Sequence, residues 1–181
     1  PNNLSNNSNQ HMSTLILGLN NIEEAQALLS NYDESKNSGK VVIVSHEKQT
    51  EHPTALSNSE HIRADLSDKD VITKLLSSDS WDLVVDVNSL LMSSRSASGR
   101  SESDAKLSVL LLVQSMIGMN PSIRPKQLVI VSTGVEPVEL VAEKPCSAFN
   151  WLPGFVRAVH AERPDVNLSL LDVVAVSYTH L

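Results

Sequence analysis

Residues 17–25 (LGLNNIEEA) follow an apolar run of strand length and could form a phosphate-binding turn. A dinucleotide site at this place needs several glycines, because the backbone must approach the pyrophosphate at a helix N-terminus. Gly18 is present, but Asn20 and Glu23 stand at the second and third glycine positions, and Glu24 adds a carboxylate that repels phosphate. We therefore predict a degenerate site with a tight turn at Gly18. Gly18 and Asn20 are only weak candidates for cofactor binding.

Residues suited to reductive chemistry are sparse. A short-chain reductase needs a tyrosine and a lysine four residues apart, with the phenol as proton donor and the ammonium lowering its pKa. Tyr32 and Lys36 have that spacing but lie in YDESKNSGK, which we interpret as a solvated helix end. Ser132, Thr133 and Gly134 follow an apolar strand pattern, where such a reductase places a catalytic serine. Because no tyrosine accompanies that hydroxyl, we favour a Thr-Gly turn and keep the three residues as weak candidates for a residual pocket.

Metal and thiol chemistry are not predicted. The six histidines show neither HxxxH nor HxH spacing, and the single Cys146 allows no multi-cysteine zinc site. Cys146 has no histidine close in sequence, so we interpret it as a free thiol, as is usual in a reducing cytoplasm. His160 lies beside Glu162 and Arg163 at the polar end of a helix pattern, which favours a capping or surface role. We predict no catalytic residue and no metal ligand in this chain.

Charge and hydropathy exclude two further classes of function. The formal net charge of −7 does not support the basic face that a nucleic-acid interface requires. The longest strongly apolar run, residues 107–119, is interrupted by polar residues and is shorter than the roughly 20 residues needed to cross a bilayer. It predicts a helix buried in the core. The N-terminus lacks the pattern of a secretory signal, so we expect a cytoplasmic protein without nucleic-acid or membrane partners.

Short apolar runs alternate with helical patterns along the chain. Strands are predicted at 13–19, 40–45, 61–66, 81–87, 127–132 and 167–173, and helices at 22–29, 69–76, 104–119 and 148–162. Ser67 is the predicted N-cap of the second helix, in a capping box with Asp70. Continuous apolar strands between helices are typical of a parallel sheet covered on both faces, a doubly wound, three-layer αβα domain. We expect this domain over residues 13–173, with a disordered polar tract at 1–12 and a tail at 174–181 that is extraneous or cut.

The last third of the chain carries the most specific pattern. A small-residue turn after a strand leads through a loop to a helix of the form GxxRxxxxExP and then to a strand that closes on LxDV. The matching residues are Gly154, Arg157, Glu162, Pro164, Leu170, Asp172 and Val173. This segment resembles the end of the structural subdomain of the ketoreductase region in modular polyketide synthases and related fatty acid synthases. The element order extends the resemblance over residues 13–173.

The resemblance implies a truncated Rossmann-like fold that binds no cofactor itself. It would pack against a catalytic ketoreductase subdomain of the same polypeptide, beside other synthase domains, and that subdomain would hold NADPH. Trp151, Phe155, Arg157 and Glu162 would lie at the contact. The isolated chain would then dimerise or be only partly soluble. Two alternatives remain open: a degraded short-chain oxidoreductase that still binds a nucleotide, and a pseudo-ketoreductase scaffold beside methyltransferase or enoyl-reductase regions.

Overall fold

The computed structural model describes residues 12–19, 39–46, 54–56, 59–89, 101–135 and 149–173. The predicted helix at 22–29 and the predictions on Asn20, Tyr32, Lys36 and Cys146 lie outside these residues. Seven strands and three main helices are described. Their bounds are β1 Thr14–Leu19, β2 Val41–His46, β3 Thr54–Leu56, β4 Ser59–Ala64, α1 Lys69–Ser77, β5 Leu83–Asp86, α2 Glu102–Gly118, β6 Gln127–Ser132, α3 Leu152–Glu162 and β7 Leu168–Asp172.

The seven strands form one sheet in the order β3-β4-β2-β1-β5-β6-β7. All neighbours from β4 to β7 pair in parallel, and only β3 pairs antiparallel, with β4. The chain therefore runs outward from β1 through β2 to β4, and then from β5 outward to β7 in the other direction. This confirms the predicted doubly wound α/β fold. The order of strands reverses between β1 and β5.

The segment between β2 and β4 contains a short strand that the sequence does not predict. Residues 46–58 form no element in the sequence-based prediction, but Thr54–Leu56 adds to the outside of β4 as an edge strand. A three-residue strand is too short to produce a periodic pattern. It covers the free edge of β4, a common way of blunting an edge.

The residues of β1 and β2 are buried on both faces of the sheet, as the continuous apolar runs predict, whereas β5 and β6 alternate between buried and half-buried residues. One face forms the larger core, in which Leu15, Val44 and Ile130 pack with apolar residues of α1, α2 and α3. A smaller cluster on the other face contains Leu19, Val41, Ile43 and Val87. The core is almost entirely aliphatic, and Phe149 is its largest fully buried side chain.

The capping residue of α1 and the first residue of α3 differ from the prediction. Asp68, not Ser67, caps α1 and accepts a hydrogen bond from the backbone N–H of Asp70 at 2.8 Å. The Ser67 N–H instead donates to Asp65 Oδ1 at 2.9 Å, so the serine belongs to the turn before the helix. The last helix begins at Leu152 and not at residue 148, with Pro153 in its first turn. Proline suits that place because the first N–H groups of a helix have no partner in the helix.

The predicted burial of α2 holds for one side of the helix, where seven of its 17 residues are buried. Leu107 lies outside this side and is 42% exposed. Two serines lie on the side of α2 that faces α1 and the turn before it. Ser108 Oγ donates to the carbonyl of Leu66, and Ser115 Oγ lies 3.2 Å from Thr73 Oγ1. Small hydroxyl side chains let the helices approach closely and still satisfy their own polar atoms. None of the described helices is long and apolar enough to cross a membrane.

Ion pairs hold together the amino ends of the strands. Asp82, before β5, accepts hydrogen bonds from Lys126 Nζ at 2.5 Å and from the backbone N–H of Ser13 at 2.8 Å. These two bonds, chiefly the one from Lys126, lower the pKa of Asp82 to about 2. Asp165, before β7, accepts from Arg163 Nε at 2.9 Å and from Arg124 Nη1 at 2.8 Å. These bonds hold the pKa of the Asp165 carboxyl well below its usual range. The polar network therefore lies opposite the edge where ligands bind in this fold.

Candidate functional site

Ligands of a doubly wound sheet bind beyond the carboxyl ends of the strands, at the place where the strand order reverses. In this chain that place lies between the ends of β1 and β5. The end of β1 is irregular, because its pairing register with β2 shifts between Leu17 and Leu19. Gly18, between them, has a φ of +97°, a conformation that L side chains rarely adopt. The predicted turn at Gly18 is therefore a bulge within the last residues of β1.

Asn88, just beyond β5, lies directly against Gly18. A Cβ atom built on Gly18 would lie 2.5 Å from Asn88 Cγ and Oδ1 and 2.8 Å from Nδ2, far inside contact distance. The Asn88 Nδ2 group donates a hydrogen bond to Asp86 Oδ1. Asn88 is 3% exposed and Asp86 is fully buried. Neither residue is among the candidates predicted from the sequence, although a polar pair at the end of an apolar strand is a visible signal.

The residues on either side of Asn88 are fixed to the two neighbouring strands. The backbone N–H of Val87 donates to the Leu17 carbonyl of β1 at 2.9 Å. Ser89 Oγ donates to the Val131 carbonyl of β6 at 2.6 Å. Three consecutive residues after β5 therefore contact β1 and β6, and they tie together the ends of the three central strands.

Ser132, the position at which a reductase would place its catalytic serine, is fully buried at the end of β6. Its Oγ donates to Asp172 Oδ1 at 3.0 Å. The same carboxylate accepts from the N–H of Val135 at 3.1 Å. Asp172 belongs to the LxDV pattern of β7, so this aspartate joins the end of β7 to the turn after β6. Within that turn Thr133 is half-buried and Gly134 has a φ of +61°.

A second serine is close to a histidine on the outer strands. Ser45 Oγ of β2 lies 2.9 Å from His61 Nε2 of β4, and both residues are buried. A hydroxyl beside an imidazole is a possible nucleophile and base, but catalysis also requires access for a substrate. Both side chains are buried, so we assign the pair a structural role, in which it joins the neighbouring strands β2 and β4.

His46 and His61 lie in strands, which corrects two details of the sequence analysis. His46 lies outside the strand predicted at 40–45 but is the last residue of β2, with a side chain only 6% exposed. Its Nδ1 accepts a hydrogen bond from the N–H of Leu66 at 3.1 Å, which leaves Nε2 to carry the proton of a neutral ring. His61 lies inside β4 and does not open it. Among the described residues, no three His, Cys, Asp or Glu side chains are grouped so that they could hold a metal ion.

The four residues predicted at a domain contact lie on or beside α3. Trp151 and Phe155 are half-buried, with ring centroids 5.2 Å apart in an edge-on arrangement, and both pack against the main core. Arg157 and Glu162 are exposed. His160, also exposed, donates from Nε2 to the Leu168 carbonyl at 2.5 Å and thereby holds α3 to β7.

No protein-family model matches the chain, and no curated protein is significantly similar to it. Many solved structures share its fold. A multidomain structure with adenylation, ketoreductase and pseudo Asub domains, from a keto acid-selecting NRPS module, is 15% identical with a TM-score of 0.61. The match covers 93% of this chain but only 14% of the module.

Two other similar structures are enzymes by name. UDP-glucose 4-epimerase of Thermotoga maritima is 16% identical with a TM-score of 0.55, over 89% of this chain and 55% of the epimerase. A short-chain dehydrogenase/reductase of Serratia marcescens is 12% identical with a TM-score of 0.51, over 89% of this chain and 77% of the reductase. At these identities the similarity shows a Rossmann-like fold and no more.

Proposed function

We propose that this chain is a non-catalytic structural subdomain that packs against an NADPH-dependent ketoreductase subdomain in a multifunctional polyketide or fatty acid synthase. The observation that carries the non-catalytic role is the Ser132 hydroxyl, which is buried and donates to Asp172 at 3.0 Å. Because the single hydroxyl proton of Ser132 goes to Asp172 and the side chain is buried, we assign this serine a structural role. The association with a synthase is supported by the helix and strand pattern that contains Asp172, and by the similarity to a module with a ketoreductase domain.

The surface proposed for the contact is the exposed side of β7. Leu171, in the edge strand β7, is 52% exposed, and Val173, directly after that strand, is 43% exposed. Exposed apolar residues that alternate along an edge strand favour pairing with another structure. At about 25 cal/mol per Å² of apolar area, covering even a few such side chains contributes a measurable part of an association free energy. Arg157 is exposed on α3 and would add a charged contact at the rim of this surface.

The test is to co-express this chain with the region encoded next to it, as one polypeptide and as two. We expect the two pieces to co-purify and to reduce a β-keto thioester with NADPH, while this chain alone does not. Leu171→Lys is expected to lower co-purification at least about tenfold, since a charge in an apolar contact costs more than about 1.4 kcal/mol.

The matched control is Leu107→Lys, which places the same charge on an exposed leucine of α2. It should leave co-purification unchanged. Keto reduction by this chain alone would overturn the non-catalytic role. If the adjacent region contained no reductase, or if both lysine variants behaved alike, the proposed partner or the proposed surface would be wrong.

A further inference from the structure

We infer that the outer side of α2 is a contact surface for a second copy of this chain, with the two helices antiparallel across a two-fold axis. This side is called the α2 surface, and its residues are Ser103, Leu107, Leu110, Leu111, Gln114 and Gly118. The inference is independent of the proposed function, which uses the edge strand β7. A second copy could contact the α2 surface whether or not β7 packs against a reductase.

The position of the α2 surface follows from the side chains that are buried. Seven residues of α2 are buried, and two of them, Ser108 and Ser115, face α1 and the turn before it. Because an α-helix has about 3.6 residues per turn, the residues of the α2 surface lie together on the side away from the buried ones. Four of these six residues are exposed, and the two in the middle, Leu110 and Leu111, are half-buried. A Cβ atom built on Gly118 would meet no atom within 4 Å, so the surface is open at its C-terminal end.

Charge distinguishes α2 from the other two described helices, which pack against the same core. The exposed residues of α1 include Lys69 and Lys74, and those of α3 include Arg157 and Glu162. Residues 107–118 of α2 include no charged residue. The water-facing side of a helix ordinarily carries charged side chains. Three neighbouring leucines on an uncharged side are therefore typical of a surface that another molecule covers.

The order of residues along the α2 surface favours a second copy as that molecule. In an antiparallel pair centred between Leu110 and Leu111, each of three contacts forms twice: Leu110 with Leu111, Leu107 with Gln114, and Ser103 with Gly118. The leucines then meet at the centre, and small residues at both ends let the helices approach closely. A charged residue near a two-fold axis would face its own copy, and residues 107–118 contain none. The antiparallel arrangement also places the positive end of each helix dipole near the negative end of the other.

The area of the α2 surface sets the strength of the contact. The 17 residues of α2 span about 25 Å, at about 1.5 Å per residue. With a helix width of about 10 Å, the surface covers roughly 250 Å² in each copy, whereas a stable complex buries about 800 Å² per partner. We therefore expect a weak, reversible dimer with a Kd between about 1 μM and 1 mM.

Sedimentation equilibrium of the whole chain, from about 1 μM to about 1 mM, measures this association. Leu107→Lys places two ammonium groups in the dimer contact and should raise the Kd at least about tenfold. Leu171→Lys is the matched control, because it adds the same charge at an exposed leucine of β7 and should leave the Kd unchanged. A chain that stays monomeric over the whole range, or a dimer weakened by Leu171→Lys and not by Leu107→Lys, would overturn the inference.

A second substitution tests the antiparallel register. Leu107 of one copy faces Gln114 of the other, so Leu107→Lys combined with Gln114→Glu places an ammonium beside a carboxylate twice in the contact. The two positions are seven residues, or about 10 Å, apart along one helix, so the new charges cannot pair within one copy. The double variant should have a Kd at least about threefold below that of Leu107→Lys alone, and about 1 M salt should remove this recovery. No recovery at low salt would show that the helices do not pair in this register.

Discussion

The contact between Gly18 and Asn88 predicts a specific coupling between two substitutions. Gly18→Ala should destabilise the fold for two separable reasons. A backbone φ of +97° is unfavourable for an L residue and costs about 1–2 kcal/mol. The new Cβ would also lie 2.5 Å from Asn88 Cγ, and overpacking of this kind costs about 1–3 kcal/mol. We therefore expect a loss of about 2–5 kcal/mol in the free energy of unfolding.

Asn88→Ala removes the second contribution and leaves the first. By itself it should cost about 1–3 kcal/mol, because Asp86 loses a hydrogen-bond donor in a buried site. In the double variant the alanine at position 18 has space, so the two losses should not add. The expected coupling is about 1–3 kcal/mol, with the double variant more stable than the sum of the single losses predicts.

Urea unfolding followed by circular dichroism would measure all three variants and the parent chain under the same conditions. Gly154→Ala is the matched control, because a Cβ on Gly154 of α3 meets no atom within 4 Å. That control should be neutral or more stable by about 0.5–1 kcal/mol, the ordinary gain from alanine in a helix. Additive losses, within about 0.5 kcal/mol, would refute the steric role of Asn88.

Three further outcomes follow from the described contacts. Asp172→Asn should lower the free energy of unfolding by about 1–3 kcal/mol, measured as a lower urea midpoint, because a charged acceptor is lost at a part-buried site. The ordinary pKa of Asp82 is 3.8, and Lys126 lowers it to about 2 in the fold, so its stabilising effect is present above pH 3.8 and is lost as the pH falls through about 2. Thermal unfolding across that window should show a smaller loss of stability in Asp82→Asn than in the parent chain, and parallel curves would contradict this. Leu112→Ala should lower the free energy of unfolding in urea by about 2–5 kcal/mol, because Leu112 is buried. Leu107→Ala, at an exposed position of the same helix, should lower it by less than about 1 kcal/mol. Equal losses would mean that α2 does not pack against the core with the side described here.

The hydrophobic pattern of short segments predicts most of the helices and strands, but it predicts few of the contacts at the candidate site. The six predicted strands and the helices α1, α2 and α3 are all present, with ends that differ by a few residues. The capping residue of α1 also differs, because the side chain that reaches the free N–H is that of Asp68 and not that of Ser67. The edge strand β3 was missed because it depends on pairing with β4 and carries no periodic signal of its own.

The sequence by itself determined that this protein is a doubly wound α/β domain and that the segment after β1 is poor in glycine. Both properties are local, since apolar periodicity and residue type are fixed within a short window. Only the tertiary structure decided what the polar residues at the strand ends do. Asn88 meets Gly18, and Asp172 meets Ser132, because parallel pairing brings distant strand ends to one edge of the sheet. The register of that pairing, set by burial over the whole sheet, has no counterpart in any short stretch of the chain.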